Sequence, residues 1–178
     1  RWRAFNRDFL VLYRPEDEAM LQAALGDHWD TTFNWEWSLQ LSEQELAGDA
    51  PDTFSLFNKG TSLVGLGRYE EAAEAFDQAR AIGLPWRMMW YQFGLFEAYL
   101  ALERYDDVLT LAREVIAGTP GVEEVYYYAA RAYEAQGDLL RAEANYEVAV
   151  FRNAYYTEAA QALARLRGVA TPTAAVGS

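Results

Sequence analysis

The chain of 178 residues has no cysteine and a single histidine, His28. Disulfide bonds, thiolate metal sites and nucleophilic cysteine chemistry are therefore excluded for this sequence. To carry chemistry, His28 would have to serve as a metal ligand or a general base. A histidine in a polar segment between helices is far more often a surface or capping residue. We therefore expect no enzyme, no catalytic residue, no metal site and no cofactor.

Basic residues are also scarce, with 15 Lys and Arg against 27 Asp and Glu and a formal net charge of −12. Phosphate backbones and anionic lipid surfaces attract clustered cations, and the basic residues here are dispersed. We therefore expect no nucleic-acid partner. No apolar run approaches the roughly 18 to 20 residues of a membrane span, so no membrane insertion is expected.

The first residues also lack the apolar core of a signal peptide. Because the chain opens on Arg1 rather than Met, we interpret it as an excised fragment or a processed chain. The sequence therefore predicts no particular compartment.

Aromatic residues are abundant, with 6 Trp, 12 Tyr and 9 Phe, or 15% of the chain. Many of them recur in a repeat: similar stretches surround Tyr69, Tyr105 and Leu139, which lie 36 and 34 residues apart. A period of this length indicates stacked supersecondary units, each too small to bury its apolar face alone.

Residues 53 to about 156 resemble the tetratricopeptide repeat, whose 34-residue unit has small residues at positions 8, 20 and 27, rings at 11 and 24, and Gly at 15. The unit from Thr53 has, at positions 8, 11, 15, 20, 24 and 27, Gly60, Leu63, Gly67, Ala72, Phe76 and Ala79. The unit from Glu123 has, at the same positions, Ala130, Tyr133, Gly137, Ala142, Tyr146 and Ala149.

The middle unit, from Met89, departs from this pattern. Phe96 replaces the small residue at position 8, Glu103 the Gly at 15, and Ala112 the ring at 24. We expect its two helices to approach less closely at Phe96, with Ala112 returning some of the volume.

The resemblance implies an all-α fold, a right-handed superhelix of antiparallel helix pairs. Residues 51–167 would form about three units, from about 53, 89 and 123, closed by a capping helix over 156–167. That helix would turn Gln161, Arg165 and Arg167 toward water. Residues 168–178 have no periodicity and are expected to be a flexible tail.

Residues 1–50 have a different pattern, which we interpret as a junction or a cap. The apolar run 8–13 predicts a strand, and helices are expected over 15–26 and from an Asp30 or Thr31 cap to about Ala47, the second packing on the first repeat. A lone strand has no ladder partner. It could be the edge of a missing upstream domain, pair with its twin in a homodimer, or lie on the helices as an apolar arm.

A second resemblance concerns residues 7–16, which look like the closing strand of papain-like cysteine peptidase domains of the double-glycine type. In some bacterial proteins such domains precede tetratricopeptide repeats. Asp30, Trp35 and the segment 83–93 are also similar to those fusion proteins. This likeness implies a role accessory to an upstream peptidase-like domain, or a C-terminal fragment of a cysteine peptidase whose active site lies before Arg1.

In tetratricopeptide proteins the first helix of each unit lines a concave face, chiefly through positions 2, 5, 9, 12 and 13. Position 5 forms a predicted ring ladder of Phe57, Phe93 and Tyr127. The candidate peptide-binding groove comprises Phe54, Phe57, Thr61, Val64, Trp90, Phe93, Glu97, Leu100, Tyr127, Arg131 and Glu134, with Glu124 at position 2 of the last unit.

An aromatic groove with a few charges suits a protein or peptide partner, because rings supply contact area and charges set the register. The alternative is that neighbouring helices or the N-terminal segment already cover these rings. The repeats that clamp a carboxylate of chaperones carry basic residues at positions 5 and 13 and Asn at 9. The first unit has Phe57, Gly65 and Thr61 there, so this subclass is set aside.

Overall fold

The computed structural model describes residues 2–6, 9–12, 35–48, 52–90 and 92–168. The predicted helix over 15–26, His28 and the tail from Val169 onward lie outside the described residues. The chain divides into two compact units, Arg1–Leu84 and Pro85–Ser178.

The first unit opens with a hairpin of two antiparallel strands, β1 (Trp2–Asn6) and β2 (Phe9–Leu12). Trp2 lies opposite Leu12, and the register shifts between Ala4 and Asn6. The strand that was expected to be alone therefore has its ladder partner in the preceding residues of the same chain. This pairing satisfies one edge of β2 without a second molecule.

Three helices follow in the first unit: α1 (Trp35–Leu46), α2 (Thr53–Gly65) and α3 (Tyr69–Ile82). Helix α1 runs antiparallel to α2, because the N-terminal part of α1 contacts the C-terminal part of α2, and the C-terminal part of α1 contacts the N-terminal part of α2. The hydroxyls of Ser38 and Ser62 lie 2.8 Å apart, and the Ser55 hydroxyl donates to the Glu45 carboxylate at 2.6 Å. The interface is thus partly polar, with its buried hydroxyls hydrogen-bonded.

Helices α2 and α3 form the first repeat pair, and glycine allows their close contact. A Cβ on Gly60 would come within 2.6 Å of the Phe76 ring, so only glycine fits at that position. The turn between the helices contains Gly67 with φ +72°, a left-handed conformation that glycine adopts without strain. Asp52 caps α2 by accepting a hydrogen bond from the Ser55 amide.

The second unit contains a 3-10 helix and five α-helices among its described residues. They are the 3-10 helix Trp86–Trp90, α4 (Gly94–Ala101), α5 (Tyr105–Gly118), α6 (Glu123–Ala135), α7 (Leu139–Arg152) and α8 (Thr157–Leu166). The ends of α8 fall within the span expected for a capping helix. Arg167, the residue that follows α8, is exposed and pairs with Glu143 and Glu147 of α7.

The middle unit differs from its expected geometry at its start. The α-helix predicted from Met89 begins only at Gly94, because residues 86–90 form a tighter turn in which the Met88 amide donates to the Pro85 carbonyl at 2.9 Å. Trp90 therefore belongs to the 3-10 helix and Phe93 precedes α4. Repeat positions 2 and 5 of this unit are not on an α-helix.

The unusual residues of the middle unit also have structural consequences. Phe96 is fully buried and stacks on Tyr128, with ring centroids 5.2 Å apart. Glu103 has φ +57°, while the equivalent Gly67 and Gly137 have φ +72° and +81°. A residue with a side chain is destabilised by roughly 1 to 2 kcal/mol in this left-handed region. Glu103 therefore has a conformation for which the equivalent positions of the other two repeats have glycine.

Among the residues that the structure describes, no helix has the length and apolar character needed to cross a membrane. The same part of the chain contains no group of three or more His, Asp or Glu side chains placed to hold a metal ion.

Candidate functional site

The most developed cluster of side chains surrounds Tyr127 on α6. Its ring contacts three other tyrosines, with centroid distances of 5.6 Å to Tyr128, 5.9 Å to Tyr146 and 5.1 Å to Tyr156. Tyr127 nevertheless stays only half-buried. One part of the ring is therefore held in place by its neighbours, and the rest remains available for contact.

Arg131 follows Tyr127 by one helical turn and lies on the same face of α6. Its guanidinium carbon is 5.7 Å from the Tyr127 ring centroid, within the range of a cation–π interaction. Arg131 is exposed, and it forms no ion pair with the acidic side chains in the described part of the chain. The ring orients its positive charge, and no carboxylate of the described residues pairs with it.

Glu134 links α6 to α7 and α8. Arg165 donates to both carboxylate oxygens, at 2.8 and 3.0 Å, and the Tyr146 hydroxyl donates to one of them at 2.8 Å. The bidentate geometry fixes the planes of both groups. Glu134 raises the pKa of the Arg165 guanidinium through this hydrogen bond, and burial followed by the same carboxylate raises the pKa of Tyr146.

A cavity of about 250 Å³ lies beside these groups, and we call it the Tyr127 cavity. Ala135 and Ala162 leave the space because their side chains are small. Two guanidinium groups and one carboxylate surround it, so the cavity is locally cationic in a chain of net charge −12. Its lining consists of Tyr127, Arg131, Glu134, Ala135, Tyr146, Ala162 and Arg165.

The size of the Tyr127 cavity restricts what it can hold. Sites for drug-sized molecules and cofactors usually enclose about 300 to 1,000 Å³. A volume of about 250 Å³ suits one or two amino-acid side chains. The arrangement can thus provide ring contacts and a cationic hydrogen-bond donor.

Tyr128 lies between predicted site residues of the middle repeat and Tyr127 of the last repeat. Its buried hydroxyl donates to Glu97 at 2.9 Å, and its ring lies 5.6 Å from Phe93. Burial is the main cause that raises its pKa, and the Glu97 charge adds to it. Phe93, Glu97 and Tyr127 therefore all contact a residue that the repeat pattern did not predict.

The remaining second-unit candidates contribute less to this cluster. Leu100 is half-buried on α4, and Trp90 is half-buried in the 3-10 helix. Neither lines the Tyr127 cavity. Glu124, in the first turn of α6, is partly desolvated, and this burial raises the pKa of its carboxyl.

The first unit requires a correction to the predicted ring ladder. Phe57 has no exposed surface and packs on Phe76 with ring centroids 5.2 Å apart. Because Gly60 lets α3 approach closely, the Phe57 ring belongs to the core between the helices. Phe54 remains exposed, while Thr61 and Val64 are half-buried.

Two cavity residues on α8 were not predicted as site residues, although the sequence contains a signal for one of them. Arg165 follows Arg131 by 34 residues, so continuing the repeat count into the capping helix would have placed it at the same position 9. The sequence contains no such signal for Ala162, because its small side chain only leaves space for the cavity. Tyr156 and Tyr146 also contact Tyr127, and Tyr146 occupies repeat position 24.

No protein-family model matches the sequence, and no curated protein is significantly similar to it. Similar solved structures do exist. The structure of MamA residues 41 to the end, from Desulfovibrio magneticus RS-1, is 21% identical, with a TM-score of 0.69, and the match covers 85% of each chain. A structure of MamA AMB-1 is 18% identical, with a TM-score of 0.65, over 89% of this chain and 87% of that chain.

The first tetratricopeptide domain of Spaghetti (RPAP3), bound to the HSP90 peptide SRMEEVD, is 18% identical. Its TM-score is 0.59, and the match covers 69% of this chain and 96% of that chain. Identities this low establish a likeness of fold and nothing about partners. The helix pairs of this chain therefore have a tetratricopeptide-like fold.

Proposed function

We propose that the chain is a non-catalytic protein-interaction scaffold whose second unit binds a peptide segment of a partner protein at the Tyr127 cavity. The observation that carries this proposal is the half-exposed Tyr127 ring, held by three neighbouring tyrosines beside a cationic cavity. Tyrosine and arginine are the side chains that most often dominate binding energy at protein interfaces.

The side chains of the site are already ordered by their neighbours, and this order favours binding of a partner. A side chain that is already ordered loses little conformational entropy when a partner covers it, and each mobile side chain would otherwise cost about 0.5 to 1.5 kcal/mol. Tyr127 is ordered by ring contacts, and Glu134 and Arg165 are ordered by their bidentate pair. The tetratricopeptide domain of RPAP3 offers a precedent in fold, since it was solved with a bound peptide.

The proposed site contains fewer residues than the groove expected from the sequence. Phe57 is excluded because its ring is inside the first helix pair. Phe93 and Glu97 are retained as flanking contacts, because both touch Tyr128 next to Tyr127. Phe54, Thr61 and Val64 belong to the first unit and are not part of the proposed site.

Display selection tests the proposal directly. Peptides from a random display library are selected on the full chain and then tested on two variants. Ala135→Trp fills the Tyr127 cavity and is expected to weaken binding of selected peptides at least about tenfold, the loss of one anchor contact of 1.4 kcal/mol. Ala117→Trp adds the same ring at an exposed position of α5 and is expected to bind as the parent does.

Circular dichroism of both variants shows whether the helices are intact. Equal binding by the parent and Ala135→Trp contradicts the proposal, as does failure to select any peptide. An upstream peptidase-like domain is a separate prediction, and the reading frame before Arg1 tests it.

Self-association through the hairpin is a second candidate. A two-stranded sheet is marginal in water by itself, and an additional strand from a second copy would extend it. Light scattering on the parent and on a chain lacking residues 1–14 decides the matter. A fall from dimer to monomer mass supports this candidate, and an unchanged mass rejects it.

A further inference from the structure

We infer that the outward side of α7 binds the same side of a second copy of the chain, with the two α7 helices parallel. We call this surface the α7 outer face, and it consists of Leu140, Ala144, Phe151 and, in the turn after the helix, Tyr155. None of these residues lines the Tyr127 cavity, so the inference goes beyond the proposed function.

Helical periodicity places three of these residues on one side of α7. Positions 140, 144 and 151 lie within about 40° of one another around the helix axis. The opposite side carries the residues that are buried within the chain, which are Ala142, Tyr146 and Ala149. Helix α7 therefore has two apolar sides, and only one of them packs inside the second unit.

The α7 outer face holds the three most exposed large apolar side chains of the described residues. Leu140 is 81% exposed, Phe151 90% and Tyr155 94%. The Tyr155 amide donates to the Asn153 side-chain oxygen at 3.0 Å, so the turn that carries this ring is ordered. Soluble monomers rarely expose contiguous apolar patches larger than a few hundred Å², and larger ones indicate a site of interaction.

The exposed area matches the apolar part of a small homodimer interface. A standard interface buries about 800 Å² on each partner, and about 65% of a homodimer interface is apolar, which gives roughly 500 Å² of apolar surface from each copy. Two rings such as Phe151 and Tyr155 supply roughly 300 to 500 Å² when they are covered, and Leu140 adds to this area. A second copy therefore provides enough apolar surface to cover the first.

The side of α7 that faces α6 carries a positive charge. The guanidinium carbon of Arg152 lies 5.1 Å from the Tyr126 ring centroid, and no carboxylate of the described residues pairs with Arg152. Arg141 lies over the Tyr133 ring of the same helix α6, and Asp138 pairs with it at 3.0 Å. Of these two arginines, Arg152 is thus the one whose charge is left for a partner.

The other flank of α7, which faces α8, carries a negative charge. Glu143 and Glu147 both pair with Arg167, the residue that follows α8. Two carboxylates share one guanidinium, so one negative charge is left over. The α7 outer face therefore lies between flanks of opposite charge, as a self-complementary surface requires.

Two-fold symmetry decides which orientation uses these charges. In a parallel pair, the α6-facing flank of one copy lies beside the α8-facing flank of the other. Glu147 then lies five residues along the axis from Arg152 of the second copy, the separation of the e and g side chains that pair in parallel coiled coils. In an antiparallel pair, like flanks lie together and Arg152 comes near Arg141 of the second copy. Charge complementarity thus favours the parallel pair.

Analytical ultracentrifugation of the full chain tests the dimer. The salt concentration is about 0.15 M, because screening over about 8 Å reduces the general repulsion between two chains of net charge −12. We expect a monomer–dimer equilibrium, and Leu140→Gln combined with Phe151→Gln should raise its Kd at least about tenfold. Phe54→Gln, which removes an exposed ring from the first unit, should leave the Kd unchanged. Circular dichroism checks that the helices of each variant are intact.

Cross-linking tests the orientation, and the chain has no cysteine that would interfere. Leu140→Cys and Phe151→Cys are oxidised separately and then as a mixture. In a parallel dimer each variant should form a disulfide with its own copy. In an antiparallel dimer with Leu140 opposite Phe151, identical positions would be about 16 Å apart along the axis, and only the mixture would cross-link. Ala117→Cys, at an exposed position of α5, is the control for chance collisions and should remain uncross-linked.

A monomer at every concentration would overturn the inference, as would an equal Kd for the parent and the variant with both Leu140→Gln and Phe151→Gln. Cross-links that form only in the mixture would reject the parallel orientation. Loss of the dimer on removal of residues 1–14, with retention in that double variant, would assign self-association to the hairpin instead. Ala135→Trp keeps the two proposals distinguishable, since filling the Tyr127 cavity should weaken peptide binding and leave the dimer unchanged.

Discussion

Arg165 of α8 holds Glu134 of α6 through two of its side-chain nitrogens, at 2.8 and 3.0 Å. The two residues are 31 positions apart, so this contact joins the capping helix to the last repeat pair. The buried residues of α8 are Ala159 and Ala162, which contribute little apolar area. Leu163 and Leu166 add apolar contacts with the cluster of Ala130, Ala142 and Tyr146, and the polar contacts lie at the edge of this packing.

Neutralising this pair should loosen α8 by a small amount. Arg165 is 65% exposed, and solvent screening limits an exposed ion pair to about 0.2 to 1 kcal/mol. We expect a double-mutant cycle of Glu134→Gln and Arg165→Gln, measured by urea unfolding, to give a coupling energy in that range and to shrink with salt. A coupling of zero at low salt would show that the contact does not stabilise α8. Arg113→Gln serves as the control for charge removal.

The repeat pattern predicted the helix pairs well because the packing of each pair depends on residues close in sequence. Gly60 against Phe76 and the positive φ of Gly67 and Gly137 are local requirements that a spacing of residue types reveals. The late start of α4 at Gly94 was not predictable in the same way. It depends on the turn that Pro85 and Met88 form before the repeat begins.

The site was harder to predict than the fold because one repeat position can face two environments. Phe57 and Tyr127 both occupy position 5, yet Phe57 is fully buried and Tyr127 remains half-exposed. The difference depends on which neighbours are packed beside each ring, and periodicity carries no information on that. The partner of β2 was missed for a similar reason, since the residue pattern of 9–12 predicts a strand but carries no information on which residues pair with it.

Replacing Glu103 by glycine should stabilise the chain. Its φ of +57° is unfavourable for a residue with a side chain, and the equivalent positions of the other two units have glycine. We expect Glu103→Gly to raise the free energy of unfolding by about 1 kcal/mol, measured by urea denaturation. Gly137→Ala is the matched reverse change and should lower it by a similar amount. A loss of stability in Glu103→Gly would contradict this explanation.

The correction at Phe57 has a measurable consequence. Because Phe57 is fully buried, truncation to alanine should leave a cavity and cost about 3 to 5 kcal/mol of unfolding free energy. Phe54, on the same helix, is 49% exposed, and its truncation should cost less than about 1 kcal/mol. Similar losses for the two variants in urea unfolding would show that Phe57 is not a core residue.

Glu124 should make stability depend on pH in a defined direction. Burial is the largest cause that raises the pKa of its carboxyl above the usual 4.5, and the neighbouring Glu123 charge adds to it. The folded chain therefore retains this proton at a pH where the unfolded chain has lost it. Stability then falls as pH rises from about 4.5 through the folded pKa, and the full penalty remains above it.

Glu124→Gln removes that titration, so we expect the variant to exceed the parent in stability at pH 7 and to approach it near pH 4. Urea unfolding at both pH values measures the two differences. Glu74→Gln, at an exposed position in the middle of α3, supplies the matched control for removal of one carboxylate. If Glu124→Gln were less stable than the parent at pH 7, the charged carboxylate would be stabilising, through the N-terminus of α6, by more than its desolvation costs.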